Sequence, residues 1–303
     1  MAYNLINLSE LPVPDALVMP SAETIFSSWL TRLRDLDPEF SALVESDPAF
    51  KQGEASAYQL SLAFQRINDA VRAVLLASAG GADLDQVGAA FNVARMEIKP
   101  ADPDAVPPVP AEMESDTDFR ERIQISWAQL NTAGARNAYH YHARSAHADV
   151  LDVDAYGPET HGRPGEVEVW VLSRTGKGEA PADVIEAVRD RVNGDEVRPL
   201  TDYVTVRSAK IQAFQITADL EIADGPDASP VLSRAIETVT NYAELMHRIY
   251  TVVPVSGIYA ALQQPGVSRV KLHSPTADIE AQPGMAPWCE TITVKRTGET
   301  HGE

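Results

Sequence analysis

From Ser21 onward, apolar residues fall at Phe26, Trp29, Leu30 and Leu33, steps that line one face of a helix. Ser21 stands where an N-cap is wanted, and Asp37-Pro38 predicts the end, because proline disfavours helical geometry in the residue before it. A longer helix is predicted from Glu54 to Ser78. Its apolar positions Ala57, Leu60, Phe64, Ile67, Val71 and Val74 advance by alternating threes and fours, the seam of a coiled coil over about three heptads. Gln65, Arg66, Asp69 and Arg72 face away from that seam. The seam wants a partner helix at a shallow angle, either in the same chain, on Phe26, Trp29 and Leu33, or in another subunit. Gly80-Gly81 stops the helix, and Leu84, Val87 and Phe91 predict a short amphipathic one over Ala82 to Asn92.

Between 99 and 110 stand Pro100, Pro103, Pro107, Pro108 and Pro110, a density that predicts an extended, stiff connector and a module boundary. Beyond it, Ser115 with Asp118 three residues on reads as a cap ahead of Phe119, Ile123, Trp127 and Leu130 on one helical face. A further helix is expected over Arg136 to His147.

From Val150 the period changes from helical to two. Val167, Val169 and Val171 alternate with Glu168 and Trp170, and a helix follows with Pro181 in its first turn and Val184, Ile185, Val188 and Val192 inward. Tyr203 to Arg207 supplies a second strand. The same order then recurs: a long half-buried strand through Phe214, Ile216, Ala218, Leu220 and Ile222, a turn at Asp224-Gly225-Pro226-Asp227, and a helix opened by Ser229-Pro230 that carries Leu232, Ile236, Val239, Ala243 and Met246. A short helix from Ser256 to Leu262 and a strand from Val267 to Leu272 complete it. The expected fold class is α+β: a helical N-terminal part over 1–98, the proline-rich connector over 99–113, helices plus a first α+β module over 114–208, and a second α+β module with a C-terminal tail over 209–303.

Composition narrows the function. Against 25 basic residues stand 44 acidic ones, a formal net charge of −19 that repels phosphate backbones and anionic lipid, and no run of Lys and Arg with interleaved aromatics is present, so neither nucleic acid nor membrane is an expected partner. Cys289 is the single cysteine, so no internal disulfide can form. The first residues lack the basic start and apolar stretch of a signal peptide, and assembly in the cytosol is the expectation.

Catalytic and metal chemistry find little support. His140, His142 and His147 are the densest group of candidate ligands, yet 140 and 142 are two apart and point to different sides of a helix. Thr175-Gly176-Lys177-Gly178 lacks the spacing of a phosphate loop, and Asp83 with Asp85, or Asp224 with Asp227, lack the remaining ligands of a calcium loop. Cys289 next to Trp288 has no histidine near it in sequence. No catalytic residue, cofactor site or metal site is therefore expected. The candidate functional residues are Leu60, Phe64, Ile67, Val71 and Val74, as a partner interface. An enzyme with a helical accessory domain and an acidic adaptor protein are the rival readings.

Three stretches, Asn7 to Asp15, Glu114 to Ile123 and Asp195 to Val206, together resemble the baseplate assembly protein J family. Arg66 to Val74, Gly80 to Asp85 and Tyr139 to His142 are also similar, and the resemblance reaches residue 272. The chain departs at Phe50 to Ser56, a stretch expected to be more apolar in relatives. The resemblance implies a wedge subunit in the baseplate of a contractile tail, part of a virion or tail-like particle. Its implied partners are a second wedge protein resembling tail protein I, in a bundle of N-terminal helices, a second copy of the chain, neighbouring wedges, and sheath-initiating and hub proteins. On host contact such a ring rearranges and releases the sheath.

Overall fold

A computed structural model of the chain describes residues 6–8, 11–12, 14, 18–39, 45–130, 136–222 and 229–297. They form two compact units, Ile6–Arg95 with Ser115–Ile123, and Met96–Glu114 with Gln124–Glu303. The architecture is α+β, with a helical N-terminal part.

In the helical unit, α1 (Ala22–Leu36) opens on Ser21, whose Oγ accepts from the Thr24 amide at 3.0 Å, and closes at Asp37. Helix α2 (Pro48–Ala73) starts at Pro48 rather than Glu54, because Asp47 caps it through the Ala49 amide at 2.7 Å and proline occupies the first turn, where its missing N–H costs nothing. It ends at Ala73, short of the expected Ser78, and the chain continues in turns closed by a bond from the Ala79 amide to the Leu75 carbonyl. The atypical stretch Phe50 to Ser56 is where α1 crosses α2. A Cβ on Gly53 would lie 2.5 Å from Trp29 Cζ3 and 2.7 Å from Phe26 Cε2, and the Phe26 and Phe50 rings meet edge on at 4.7 Å. A glycine there lets two aromatic rings lie directly on the helix backbone.

Helix α3 (Gly81–Ala90) buries Leu84 and sets Gly88 against the Phe119 ring of α4 (Asp116–Ile125). Arg95 covers that ring, 4.7 Å from its centroid, and pairs with Asp85 and Asp116, each at 2.7 Å. Arg120 donates to the carbonyls of Leu76 at 2.7 Å and Ala79 at 2.6 Å, satisfying acceptors left open beyond α2. The stretches Gly80 to Asp85 and Glu114 to Ile123 thus brace one another.

The stretch expected as an extended connector folds back on itself as a hairpin, β1 (Glu97–Lys99) against β2 (Glu112–Met113), extended by paired bonds between Asp102 and Val109 at 2.9 Å. Its prolines fall outside the positions that donate across the ladder, so the missing N–H groups cost nothing. After α4 the chain tightens into a 3₁₀ turn (Ser126–Leu130) that leaves Trp127 exposed, so the expected single helical face ends at Ile125.

The first α+β module contains α5 (Arg136–Arg144), β3 (Val150–Tyr156), the single turn α6 (Pro158–His161), β4 (Glu166–Ser173), α7 (Ala182–Val192) and β5 (Tyr203–Ser208). Strand β4 lies between an antiparallel β3 and a parallel β5, and Val184, Val188 and Val192 of α7 pack with Val153, Val169 and Val171. The second contains β6 (Lys210–Ile222), α8 (Ser229–Leu245), β7 (Val252–Val253), α9 (Val255–Leu262), β8 (Val267–Ser274), β9 (Ile279–Glu280) and β10 (Met285–Thr297). Phe214, Ile216, Ala218, Leu220 and Ile222 all point into its core, onto Val239, Ile258 and Leu262. Strand β10 stands where a C-terminal tail was expected. It runs parallel to β6 from Met285 opposite Lys210 to Thr297 opposite Glu221.

The two modules join along a shared seam. The Ala209 amide donates to the Val171 carbonyl, the Lys210 amide to that of Gly284, and the Ile249 amide to buried Asp152 at 2.8 Å, while Leu172, Ala209, Ile249 and Ala286 close the apolar part.

Candidate partner interface

The predicted seam of α2 divides in the folded chain. Ala57 is buried, and Phe64 and Val71 are half-buried, on the side that faces the rest of the unit. Leu60 and Ile67 remain 47% exposed and Val74 70% exposed. At 100° per residue, the positions of Ala57, Phe64 and Val71 sit about 60° to one side of Leu60, Ile67 and Val74, enough for one row to turn inward and the other outward. Asn68, which the apolar pattern passed over, lies buried on the inward side.

Between α1 and α2 runs a groove of about 480 Å³, walled by Ile25 and Trp29 of α1 and by Ala57, Leu60 and Phe64 of α2. The structure thus brings Leu60 and Phe64 together with Trp29, one of the three α1 residues named as the seam's in-chain partners. Ile67 and Val74 are left outward. Leu62 and Tyr58 are also exposed, the latter at the flank of the same helix.

A second exposed feature was not singled out as a site. The stretch Asp195 to Val206 enters β5 through a loop that holds Leu200 fully exposed and Tyr203 largely so. The loop is pinned: Tyr139 donates its hydroxyl hydrogen to Asp202 at 2.7 Å, Arg198 donates to the Asp202 carbonyl at 3.1 Å, and the Tyr203 amide donates to the Gly165 carbonyl at 2.7 Å. A rigid loop that spends a leucine on solvent was visible in the sequence only as Pro199-Leu200 amid polar neighbours.

The remaining candidates disperse. His140 bonds Asp154 through Nε2 at 3.1 Å, and the His147 ring accepts from the Asp149 amide. Burial works to raise the Asp154 carboxyl, but bonds from His140, Tyr156 and the Ala155 amide hold it below the usual range. His142 is buried with Nδ1 unpartnered, and burial, then the Arg191 charge, lower its pKa to about 4. Burial raises Asp152 despite Arg248 and Arg144 nearby. Among the described residues no three His, Cys, Asp or Glu side chains converge as a metal cluster would require. Thr175 to Gly178 is a turn, closed by the Ser173 amide on the Gly178 carbonyl, with Lys177 paired to Glu290. Asp85 pairs with Arg95, and burial raises the half-buried Cys289 thiol. Asp224 and Asp227 lie outside the described residues.

Two family models match, the Baseplate J-like N-terminal domain over residues 45–102 and the Baseplate J-like central domain over residues 131–208. Baseplate protein J of Escherichia phage P2 is 40% identical over 301 residues, covering 97% of this chain and 98% of that protein. The chain belongs to the baseplate J-like family. The N-terminal match contains α2, α3 and β1, and so the whole of the divided seam; the central match contains α5 to β5 and the Leu200 loop. The second α+β module lies beyond both models and within the span shared with the P2 protein. Among solved structures, a chain of the cryo-EM structure of the anti-feeding prophage baseplate, 6-fold symmetrised, aligns at 13% identity and a TM-score of 0.34, over 62% of this chain and 44% of that one.

Proposed function

We propose that this chain is a wedge subunit that assembles through two surfaces: the outward side of α2, and the Leu200 loop of its first α+β module. As a baseplate J-like protein it is a structural baseplate subunit of a contractile tail. The α2 surface, with Leu60, Ile67 and Val74 outward and Phe64 and Val71 half-buried behind them, enters a helical bundle with a second wedge protein and with another copy of the chain. The α+β modules meet neighbouring wedges in the ring, alongside sheath-initiating and hub proteins, and the ring rearranges to trigger sheath contraction. Assembly takes place in the host bacterial cytoplasm, and the role is structural rather than enzymatic.

One observation carries the reading: a helix inside the family's N-terminal match exposes Leu60, Ile67 and Val74 in a line. Covering each large apolar side chain contributes about 1.5–3 kcal/mol for full burial, so half-exposed residues retain about half of that for a partner. Ile67→Asp tests it. Because Ile67 is half-exposed, the isolated chain should keep its helical circular dichroism, while co-purification with the other wedge protein should fall sharply, since an unpaired charge would be buried on assembly. Normal assembly of the folded variant would remove α2 from the interface.

A further inference from the structure

Strand β10 is an outer strand of its sheet, in the order β10-β6-β8. From Thr291 to Thr297 it runs in unbroken register along β6, and no strand among the described residues pairs with its other edge. Alternate residues of a parallel strand turn their N–H and C=O groups to that side, so an open row of donors and acceptors stands there. The opposite outer strand, β8, carries two register shifts against β6, irregularities of the kind that twist an edge out of reach. Strand β10 has none after Thr291, holds no proline there, and five of its seven residues from Thr291 to Thr297 are β-branched. A regular, β-branched edge of that length pairs with other chains unless a partner covers it.

The two faces of the edge define the chemistry of that partner. On the core side, Ile292 and Val294 pack against the cluster that contains Val239 of α8, yet stay only half-buried. On the other side Thr291, Thr293, Lys295 and Thr297 are exposed. Lys295 stands opposite Asp219, but Asp219 accepts from His273 Nε2 at 2.8 Å, and Lys295 makes no ion pair among the described residues. Lys271 of β8 flanks Asp219 from the far side and likewise makes none among them. In a chain of net charge −19, the open edge is thus lined by cations without carboxylate partners.

We infer that the sheet of the second α+β module is completed by an extended segment of another protein, added along Thr291–Thr297, in which apolar and acidic residues alternate. This rests on the reading of the chain as an assembling subunit and adds a strand edge to the two surfaces proposed above. The apolar residues of the added strand cover Ile292 and Val294 beside α8. Its carboxylates fall on the other face, one of them across from Lys295 at the roughly 5 Å spacing of cross-strand neighbours. Backbone bonds along the edge supply affinity for any extended chain, and the alternation supplies the selection.

The test uses the full chain and a capped fluorescent peptide in which valine and glutamate alternate over the length of Thr291 to Thr297, with a valine–lysine peptide as its counterpart. Anisotropy should show the acidic peptide binding roughly fivefold more tightly than the basic one, a difference that shrinks as salt rises. Hydrogen exchange should slow at alternate amides between Thr291 and Thr297 and stay unchanged in β8. Lys295→Gln should weaken the acidic peptide roughly threefold, and Lys295→Glu should reverse the preference. Both variants should keep the circular dichroism of the parent, because the side chain is exposed. Protection at β8 instead of β10, equal binding of the two peptides, or no binding at millimolar peptide overturns the proposal. If Ile67→Asp disrupts assembly with the other wedge protein while Lys295→Glu leaves assembly and peptide preference unchanged, only the edge contact is wrong; if neither variant has an effect, the assembly reading falls with it.

Discussion

His142 offers a quantitative probe of the first α+β module, because its imidazole is buried in α5, a helix whose residues from Ala138 to Arg144 are all buried. Burial, and secondarily Arg191, lower its pKa from the usual 6.5 to about 4. The folded state thus binds the proton later than the unfolded chain does. Stability from this group is complete above pH 6.5 and is lost as pH falls toward 4. At 1.36 kcal/mol per tenfold change in proton affinity, the full loss is about 3 kcal/mol, and solvent relaxation around the site brings it to about 2 kcal/mol. His142→Phe keeps a planar ring against Tyr141, forfeits no bond at the unpartnered Nδ1, and removes the titration. Urea unfolding of both proteins between pH 7 and 4.5, followed by circular dichroism and by hydrogen exchange within α5, isolates the effect, since the other histidines and carboxylates are common to both. The variant should gain about 2 kcal/mol relative to the parent on acidification. Parallel stability curves would show that His142 is not held neutral by burial, and the reasoning would fail.

Gly53→Val should destabilise the packing of α1 on α2 by about 1–3 kcal/mol, because Trp29 and Phe26 occupy the space of its side chain; tryptophan fluorescence during urea unfolding would show it. Asp202→Ala removes the acceptor of the buried Tyr139 hydroxyl and should cost about 1–3 kcal/mol, measured as a lowered thermal midpoint. Leu200→Ser should leave stability within about 0.5 kcal/mol, since the side chain touches nothing it would lose, yet reduce ring assembly seen by negative-stain microscopy. Unchanged rings would remove the loop from the inter-wedge contact.

Much of this fold is local physics and was readable in the chain. The cap at Ser21, the stop at Asp37-Pro38, the inward valines of α7 and the alternation of β6 depend on periodicity and backbone sterics alone, and the structure places each where the pattern does. Family membership was legible as well, because the stretches that carried it include those that brace α3 against α4 and pin the Leu200 loop. What stayed hidden depends on what lies opposite. The C-terminal half of β10 shows only Ile292 and Val294 between polar residues, and becomes a strand because β6 offers it a full ladder. The proline-rich segment reads as a stiff spacer until Asp102 and Val109 pair across it. The seam of α2 is a single stripe by spacing, and only the contact of α1 at Gly53 determines which of its rows turns inward and which remains for a partner. Periodicity specifies which residues share a face of an element; the neighbours that cover that face come from distant parts of the chain, and their arrangement is a property of the packed whole.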